Sequence, residues 1–433
     1  MSRRLRFAGL LRHPSEPRVL LLRGDRTWRL PRVVAQRDTW IADARAAVPA
    51  FEERLGTRPW VRRPLGFHGG DAVLELELEN ARWRPPANGR WAAQEDLDRI
   101  RVDERHGAVV ASFLDALEMV PAERPPWARG GWRDEVRAWL DAEAARLGRR
   151  VRALEQVKTW GISTVLRVET DRGDLWFKVS AALPLFADEA LVTQRLATRF
   201  PGFVPAPVAV EPARGWLLFE PFEEVGWSAP LEVRRELFRR FAALQVRAAA
   251  QADELLADGC LHRQLGVLEA QLDELLADRP ALHELDTAEV RRLRRLAPRL
   301  HELIRRLGSL GLPATLVHGD LHPGNVAHVD GELAYFDWTD ACVAHPFVDL
   351  HSLQWERDEA TRAAILDAYL EPWRAVAPEE TLREAVALAR VVTPLHHAVS
   401  YSTIARSLEP ASRSELDATH EFLREAMTRA REL

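Results

Sequence analysis

His318-Gly319-Asp320-Leu321-His322-Pro323-Gly324-Asn325 is the stretch on which the reading of this chain turns. It sets Asp320 and Asn325 in the spacing His-x-Asp-x-x-x-x-Asn. In that spacing an aspartate faces an acceptor hydroxyl, and the asparagine oxygen is a hard ligand for magnesium. Twelve residues beyond Asn325, the apolar run Glu332-Leu333-Ala334-Tyr335-Phe336 predicts a strand that delivers Asp337, where a second metal-binding carboxylate belongs. His318 reads as scaffolding, because phosphoryl transfer depends on positioning more than on an extra base.

Working upstream, Leu175-Trp176-Phe177-Lys178-Val179 reads as the third strand after a hairpin, and Glu189 follows eleven residues after Lys178 in the next predicted helix. A lysine so placed grips the α- and β-phosphates of a nucleotide while the helix glutamate holds it. Only Lys158 and Lys178 are lysines among 60 basic residues, so a compact ammonium retained at position 178 has significance. The turn Gly161-Ile162-Ser163-Thr164 stands where a phosphate-covering loop belongs, with Ser163 as its hydroxyl, and is equally readable as a plain hairpin turn. Trp216 to Phe219, running into Glu220-Pro221-Phe222, reads as a hinge whose backbone and Phe222 would meet an adenine. Singly, Lys178 is a surface lysine, Glu189 a solvated helix residue and Asp337 a turn residue; their order and spacing select phosphoryl transfer.

Around this set the chain organises itself. Strands are predicted at Leu5 to Leu11 and Arg18 to Arg23, a helix from about Thr39 to Leu55, a half-buried strand in the alternation Val73-Leu74-Glu75-Leu76-Glu77-Leu78-Glu79, and a helix from about Ala108 to Glu118. Prolines and glycines between Pro121 and Gly131 mark a linker, and a helix runs from Trp132 to Leu147. Strands follow at Leu154 to Trp160, Val165 to Thr170 and Leu175 to Val179, then a helix at about Leu185 to Phe200 and strands at Ala206 to Val210 and Trp216 to Phe219. Beyond Pro230 nearly everything is helical except the motif region.

These motifs resemble the aminoglycoside phosphotransferase and choline kinase-like family over about residues 127 to 433. The loop has a glycine after its first histidine and a second histidine after Leu321, and Asp337-Trp338-Thr339-Asp340 is followed by His345-Pro346 and Asp349-Leu350. The resemblance implies a bilobal protein-kinase-like domain, a small antiparallel sheet followed by a helical lobe, with Asp320 as catalytic base, Asn325 and Asp337 on Mg2+, Lys178 and Glu189 on ATP, and Asp349 supporting the loop. The front of the chain resembles a Nudix α/β/α sandwich through Arg29-Leu30-Pro31, Glu52-Glu53-Arg54-Leu55-Gly56, Arg90-Trp91 and Glu95-Asp96-Leu97. Pro49-Ala50 stands where Arg-Glu belongs and Glu53-Arg54 where Glu-Glu belongs, so hydrolysis is not expected there. A nucleotide-binding role, a contribution to the acceptor site, an interaction surface and a purely packed element all stay open for this part.

The bulk numbers set bounds. A length of 433 residues favours two domains, and no apolar run approaches the roughly 20 residues that span a bilayer. Two cysteines without ligand spacing argue against disulfides and structural zinc and suit a reducing cytoplasm, and a net charge of −5 offers no footprint for nucleic acid. The expectation is an α+β chain: a Nudix-like domain over 1–120, a linker over 121–131 and a kinase domain over 132–433, its lobes about 132–222 and 223–433. It would move the γ-phosphate of ATP to a small-molecule hydroxyl; the alternative is a non-catalytic nucleotide-binding regulator. The acids Asp340, Glu356, Asp358 and Glu359 would favour a cationic or polyhydroxylated acceptor, or serve as solvated helix termini.

Overall fold

The computed structural model describes residues 4–117 and 120–433. They form two compact units, Met1–Ala181 with Ser407–Glu415, and Ala182–Arg406 with Leu416–Leu433. Both mix helix and strand, so the α+β class holds. The first division of the chain falls inside the expected kinase domain, between its third strand and the helix that follows it.

The first unit begins with β1 (Arg6–Leu11), β2 (Val19–Arg23), β3 (Trp28–Arg29), β4 (Arg32–Val34), helix α1 (Ala44–Leu55), β5 (Pro59–His68), β6 (Asp71–Leu78), β7 (Gly89–Ala92) and helix α2 (Glu104–Asp115). One sheet has the order β4-β1-β6-β5, with β1 and β6 parallel, and a second has the order β3-β2-β7. The two-residue period of the strands builds the layers. Phe7, Leu11, Leu20 and Leu22 join the core under α1, whereas Ala8, Leu10, Val19 and Leu21 join Val110, Phe113 and Leu114 of α2 on the other face.

Helix α3 (Trp132–Arg146) and the antiparallel strands β8 (Val151–Thr159), β9 (Ser163–Thr170) and β10 (Leu175–Ser180) complete this unit. The buried Gln156 of β8 pairs with both backbone groups of Val61, each at 2.7 Å. Residues 121–131 hold a short turn of 3-10 helix, Pro126–Ala128, whose Trp127 is buried and donates to the Trp160 carbonyl at 3.0 Å.

Several boundaries differ from the sequence expectation, and aspartates are the reason. Asp43, Asp103 and Asp188 each accept a backbone N–H one turn inside a helix, so the helices start at Ala44, Glu104 and Glu189 rather than at residues 39, 108 and 185. Glu118, the expected end of the second helix, lies outside the described residues. β5 and β7 were not anticipated. Ser163 and Thr164 belong to β9 rather than to the turn.

The half-buried strand is also corrected. Glu75 of β6 is fully buried, 2.7 Å from Arg63 and 3.2 Å from Arg12. An irregularity in register between Val61 and Arg63 lets Arg62 join Arg63 beside this carboxylate, Arg62 lying 3.4 Å from it. Arg63 in turn lies 2.7 Å from the buried Glu409, which also takes Arg124 at 2.6 Å. A charge can be buried in a core on these terms only, with partners on several sides.

The second unit starts with α4 (Glu189–Arg199), β11 (Ala209–Glu211), β12 (Trp216–Phe219), β13 (Glu223–Glu224) and α5 (Leu231–Ala248). Next come α6 (Ala252–Ala257), β14 (Leu261–His262), α7 (Leu265–Ala277), α8 (Thr287–Ser309), β15 (Thr315–Val317), β16 (Val326–Val329), β17 (Glu332–Tyr335) and β18 (Cys342–Ala344). α9 (Glu359–Trp373), α10 (Glu379–Ser407) and α11 (Thr419–Arg429) follow. β16 and β17 form a hairpin closed by Asp330-Gly331, both with positive φ, and β15 pairs antiparallel with β18. The segment from β15 to β16 and the segment from β17 to β18 carry the motif residues. Among the described residues, no helix is long and apolar enough to cross a membrane.

Candidate active site

Residues 318–325 leave β15 and return into β16, tied down from below. Buried Asp349 accepts the backbone N–H of His318 at 3.0 Å and of Gly319 at 2.9 Å, and the side-chain amide of Gln245 on α5 at 2.9 Å. Burial pushes the Asp349 carboxyl up to about 7, against the pull of those two backbone N–H groups. His318 is fully buried: Nε2–H donates to the Phe336 carbonyl at 2.9 Å, and Nδ1 accepts the Asp320 N–H at 3.3 Å. Burial, above all, drops its pKa to about 4, so the ring is neutral and acts as a brace.

Gly319 is required by its backbone. Its φ is 84°, and a Cβ there would lie 2.5 Å from the Asp340 Cβ. The loop thereby approaches residues 337–341 closely, and Asp337 itself has a left-handed φ of 67° that turns the chain after β17. Tyr335 and Trp338 flank that turn from inside the core, Trp338 donating its indole N–H to the Tyr335 carbonyl at 2.8 Å.

Asp320 is half exposed, at 49 % for the side chain. The Asn325 amide donates to its Oδ2 at 3.0 Å and to its backbone oxygen at 2.9 Å, and His322 Nε2 lies 3.3 Å from the same Oδ2. Burial opposes its ionisation, but the His322 hydrogen bond and neighbouring imidazole charge outweigh it and hold the carboxyl below its usual range. Because Asn325 spends its N–H groups on Asp320, its Oδ1 is the atom left to face a cation. Asp340 is pushed up to about 7, first by burial and then by the negative charges of Asp320 and Asp337. Three carboxylates crowd one place here, with Thr339 Oγ1 3.2 Å from both Asp337 and Asp340.

The remaining expected residues are distributed over both units. Lys178 occupies the middle of β10 and Ser163 the start of β9, in the first unit; Glu189, buried, opens α4 in the second. Ser163 accepts the Trp160 indole N–H at 2.8 Å, and the neighbouring Gly161 N–H donates to Glu415 at 3.0 Å. Glu220 and Phe222 follow β12, with Phe222 packed between Phe219 and Phe336 at ring distances of 6.0 and 5.0 Å. The acidic group does not assemble. Glu356 is bound to Arg234 at 2.6 Å, Asp358 caps α9, and Asp340 sits beside Asp337, so these three acids are each engaged locally. Sequence reasoning missed Gln245 and the exposed pair Trp227 and Trp355; their signal is only tryptophan in a polar context.

The model of the phosphotransferase enzyme family matches residues 154–384, more than half of the chain. The chain therefore belongs to the phosphotransferase enzyme family, and it is a small-molecule phosphotransferase. No curated protein matches it. Solved structures similar to it include the macrolide 2′-phosphotransferase of Brachybacterium faecium, with 19 % identity over 66 % of this chain and 97 % of that one, TM-score 0.45. A choline/ethanolamine kinase family protein from Mesorhizobium loti has 16 % identity over 70 % and 99 %, TM-score 0.47. The GDP complex of an aminoglycoside 2′-phosphotransferase has 16 % identity over 69 % and 99 %, TM-score 0.49.

Proposed function

We propose that this enzyme transfers the γ-phosphate of ATP, with Mg2+, to a hydroxyl of a small molecule. The observation that supports this most is the treatment of Asp320: both side-chain hydrogen bonds fall on Oδ2, leaving Oδ1 to receive the hydroxyl proton. Asn325 Oδ1 and Asp337 are hard oxygen donors suited to magnesium, and the carboxylates gathered around Asp340, whose pKa is raised by burial first and by those charges second, suit a site built for a cation. Bound there, the ion would neutralise charge on the phosphates.

In this reading Lys178 and Glu189 hold the nucleotide phosphates, Ser163 faces them from the start of β9, and Glu220 and Phe222 meet the base. The kinase-like lobes are about 132–222 and 223–433, the stretch 121–131 joins them to the front, and the enzyme works in the cytoplasm. Residues 1–120 form a Nudix-like domain without hydrolase activity, a reading supported by its helix–sheet–helix layers and by Arg54 at the place of a metal-binding glutamate.

The test is ADP release and acceptor mass with Mg-ATP and panels of sugars, nucleosides, amino alcohols and aminoglycosides. Acceptor-dependent turnover should fall at least about 100-fold in Asp320→Asn. Turnover that persists unchanged in that variant overturns the reading.

A further inference from the structure

Large apolar side chains are seldom left in water beside a reactive carboxylate without a purpose. Trp227 and Trp355 are 58 % and 50 % exposed, and their rings lie 5.7 Å apart at 51°. They come from segments far apart in sequence, one directly before α5 and the other at the end of the turn that contains Asp349. His322 joins them: its ring stacks on Trp227 at 4.4 Å and 28° and lies 6.3 Å from Trp355. The same imidazole reaches Asp320 Oδ2 at 3.3 Å. The aromatic surface is therefore one side chain away from the carboxylate.

Gly324 is part of the same construction. A Cβ at this position would stand 3.0 Å from the Trp227 indole nitrogen and 3.0 Å from the His322 ring. The loop gives up a side chain so that the indole can lie across it.

Next to the two indoles is a small cavity of about 210 Å³, lined also by Pro323, Ser352, Arg234 and Glu356. Its two charged residues neutralise each other, with Arg234 Nη1 2.6 Å from Glu356 Oε2. Ser352 spends its hydroxyl proton on the Leu321 carbonyl at 2.5 Å. What the surface offers a ligand is flat, apolar area with no unpaired charge.

We propose that Trp227 and Trp355 form the acceptor platform, and that the acceptor is an uncharged ring compound, a glycoside or a nucleoside, which lays one apolar ring face on the indoles. A polycationic acceptor would find no free carboxylate in this cavity, and an acyclic one would leave the indoles wet. The C–H face of a pyranose and the π-face of a base both satisfy the platform; the hydroxyl to be phosphorylated then projects past His322 toward Asp320. The proposal rests on Asp320 being the catalytic carboxylate.

The test is steady-state kinetics with Mg-ATP and four acceptors: phenyl β-glucoside, adenosine, choline and kanamycin. One of the first two should be the preferred substrate, and which one it is separates sugar from base. Trp227→Ala and Trp355→Ala should each raise the acceptor KM about tenfold or more, with kcat falling less than KM rises and the ATP KM within about twofold. Trp227→Phe should recover most of the loss. Preference for choline or kanamycin, or an unchanged acceptor KM in both alanine variants, overturns the platform. Should none of the four be turned over, saturation-transfer NMR on the same two ring compounds decides. Binding that is lost in Trp227→Ala and kept in Asp320→Asn supports the platform, and no binding overturns it. Normal turnover of ring acceptors in Asp320→Asn would instead defeat the catalytic assignment and leave the KM effects of the tryptophans to be read separately.

Discussion

Replacing Asp349 by alanine should separate the support of the catalytic loop from its chemistry. The carboxylate accepts two backbone N–H groups, of His318 and Gly319, and the Gln245 amide, all in the interior. Its removal orphans the two backbone donors, each costing about 1–3 kcal/mol when left unpaired, while the Gln245 amide keeps the carbonyls of Leu316 and Pro346. Against this stands relief from burying a carboxyl whose pKa has been driven up to about 7. A net loss of about 3 kcal/mol is reasonable, and for a unit of this size it corresponds to a fall in Tm of roughly 6–12 °C. Loop slack then displaces Asp320 and Asn325, and a shift near 1 Å costs about 100-fold in rate. The pH dependence has a definite sign. Burial raises the folded pKa above the 3.8 of an ordinary aspartate, so the folded protein holds more protons than the unfolded chain between about 4 and 7. Wild-type stability therefore declines as pH rises through that window, and the alanine variant lacks this component, so the Tm gap should narrow toward pH 8. Scanning fluorimetry from pH 5 to 8 with parallel kinetics measures both. A variant whose Tm stays within about 2 °C and whose kcat stays within twofold refutes the support role.

Glu409→Ala should destabilise the first unit by about 3–5 kcal/mol in urea denaturation, since it strands the buried Arg124 and leaves Arg63 with Glu75 alone; a loss below about 1 kcal/mol would count against the network. Gly319→Ala should abolish turnover while leaving far-UV circular dichroism intact, because the new Cβ meets Asp340 at 2.5 Å in a left-handed backbone; retained turnover would mean the loop can shift freely. Glu415, which accepts the Gly161 N–H, is raised from 4.5 to about 7 by burial first, against the Gly161 and Ser412 hydrogen bonds and the Arg63 charge. The wild type should thus lose stability relative to Glu415→Gln as pH rises from about 4.5 to about 7, and a Tm difference independent of pH would contradict that placement.

What the sequence made legible was short-range. The octapeptide at 318–325, the strand before Asp337 and the hairpin around Lys178 each lie within a dozen residues, and local spacing suffices to read them. The helix starts at Ala44, Glu104 and Glu189 were readable too, since an aspartate precedes each one. Long-range pairing was not. Alternation in β6 signals a strand whose glutamates face water, unless arginines from elsewhere meet them, and Glu75 is met from positions 12, 62 and 63 while Glu409 closes the same network. The acids near position 358 looked like one patch because they are close in sequence. In the fold Glu356 is taken by Arg234 and Asp358 by the cap of α9. Trp227 and Trp355 had no local pattern linking them to the loop.

The two glycines flanking Asp320 explain why so few polar contacts suffice in the loop. Gly319 permits a positive φ and close approach to Asp340; Gly324 clears space for the indole of Trp227 and the ring of His322. Backbone shape on either side of the carboxylate is thus fixed by packing, and His318 and Asp349 tie the same backbone from within without meeting the reacting atoms. Every restraint that reaches the Asp320 side chain falls on Oδ2. Phosphoryl transfer requires a carboxylate held in place more than a strong base, and a depressed pKa is compatible with holding and poor for basicity. In the proposed reaction Asp320 would then act chiefly by orienting the hydroxyl and taking its proton late, once attack has acidified it.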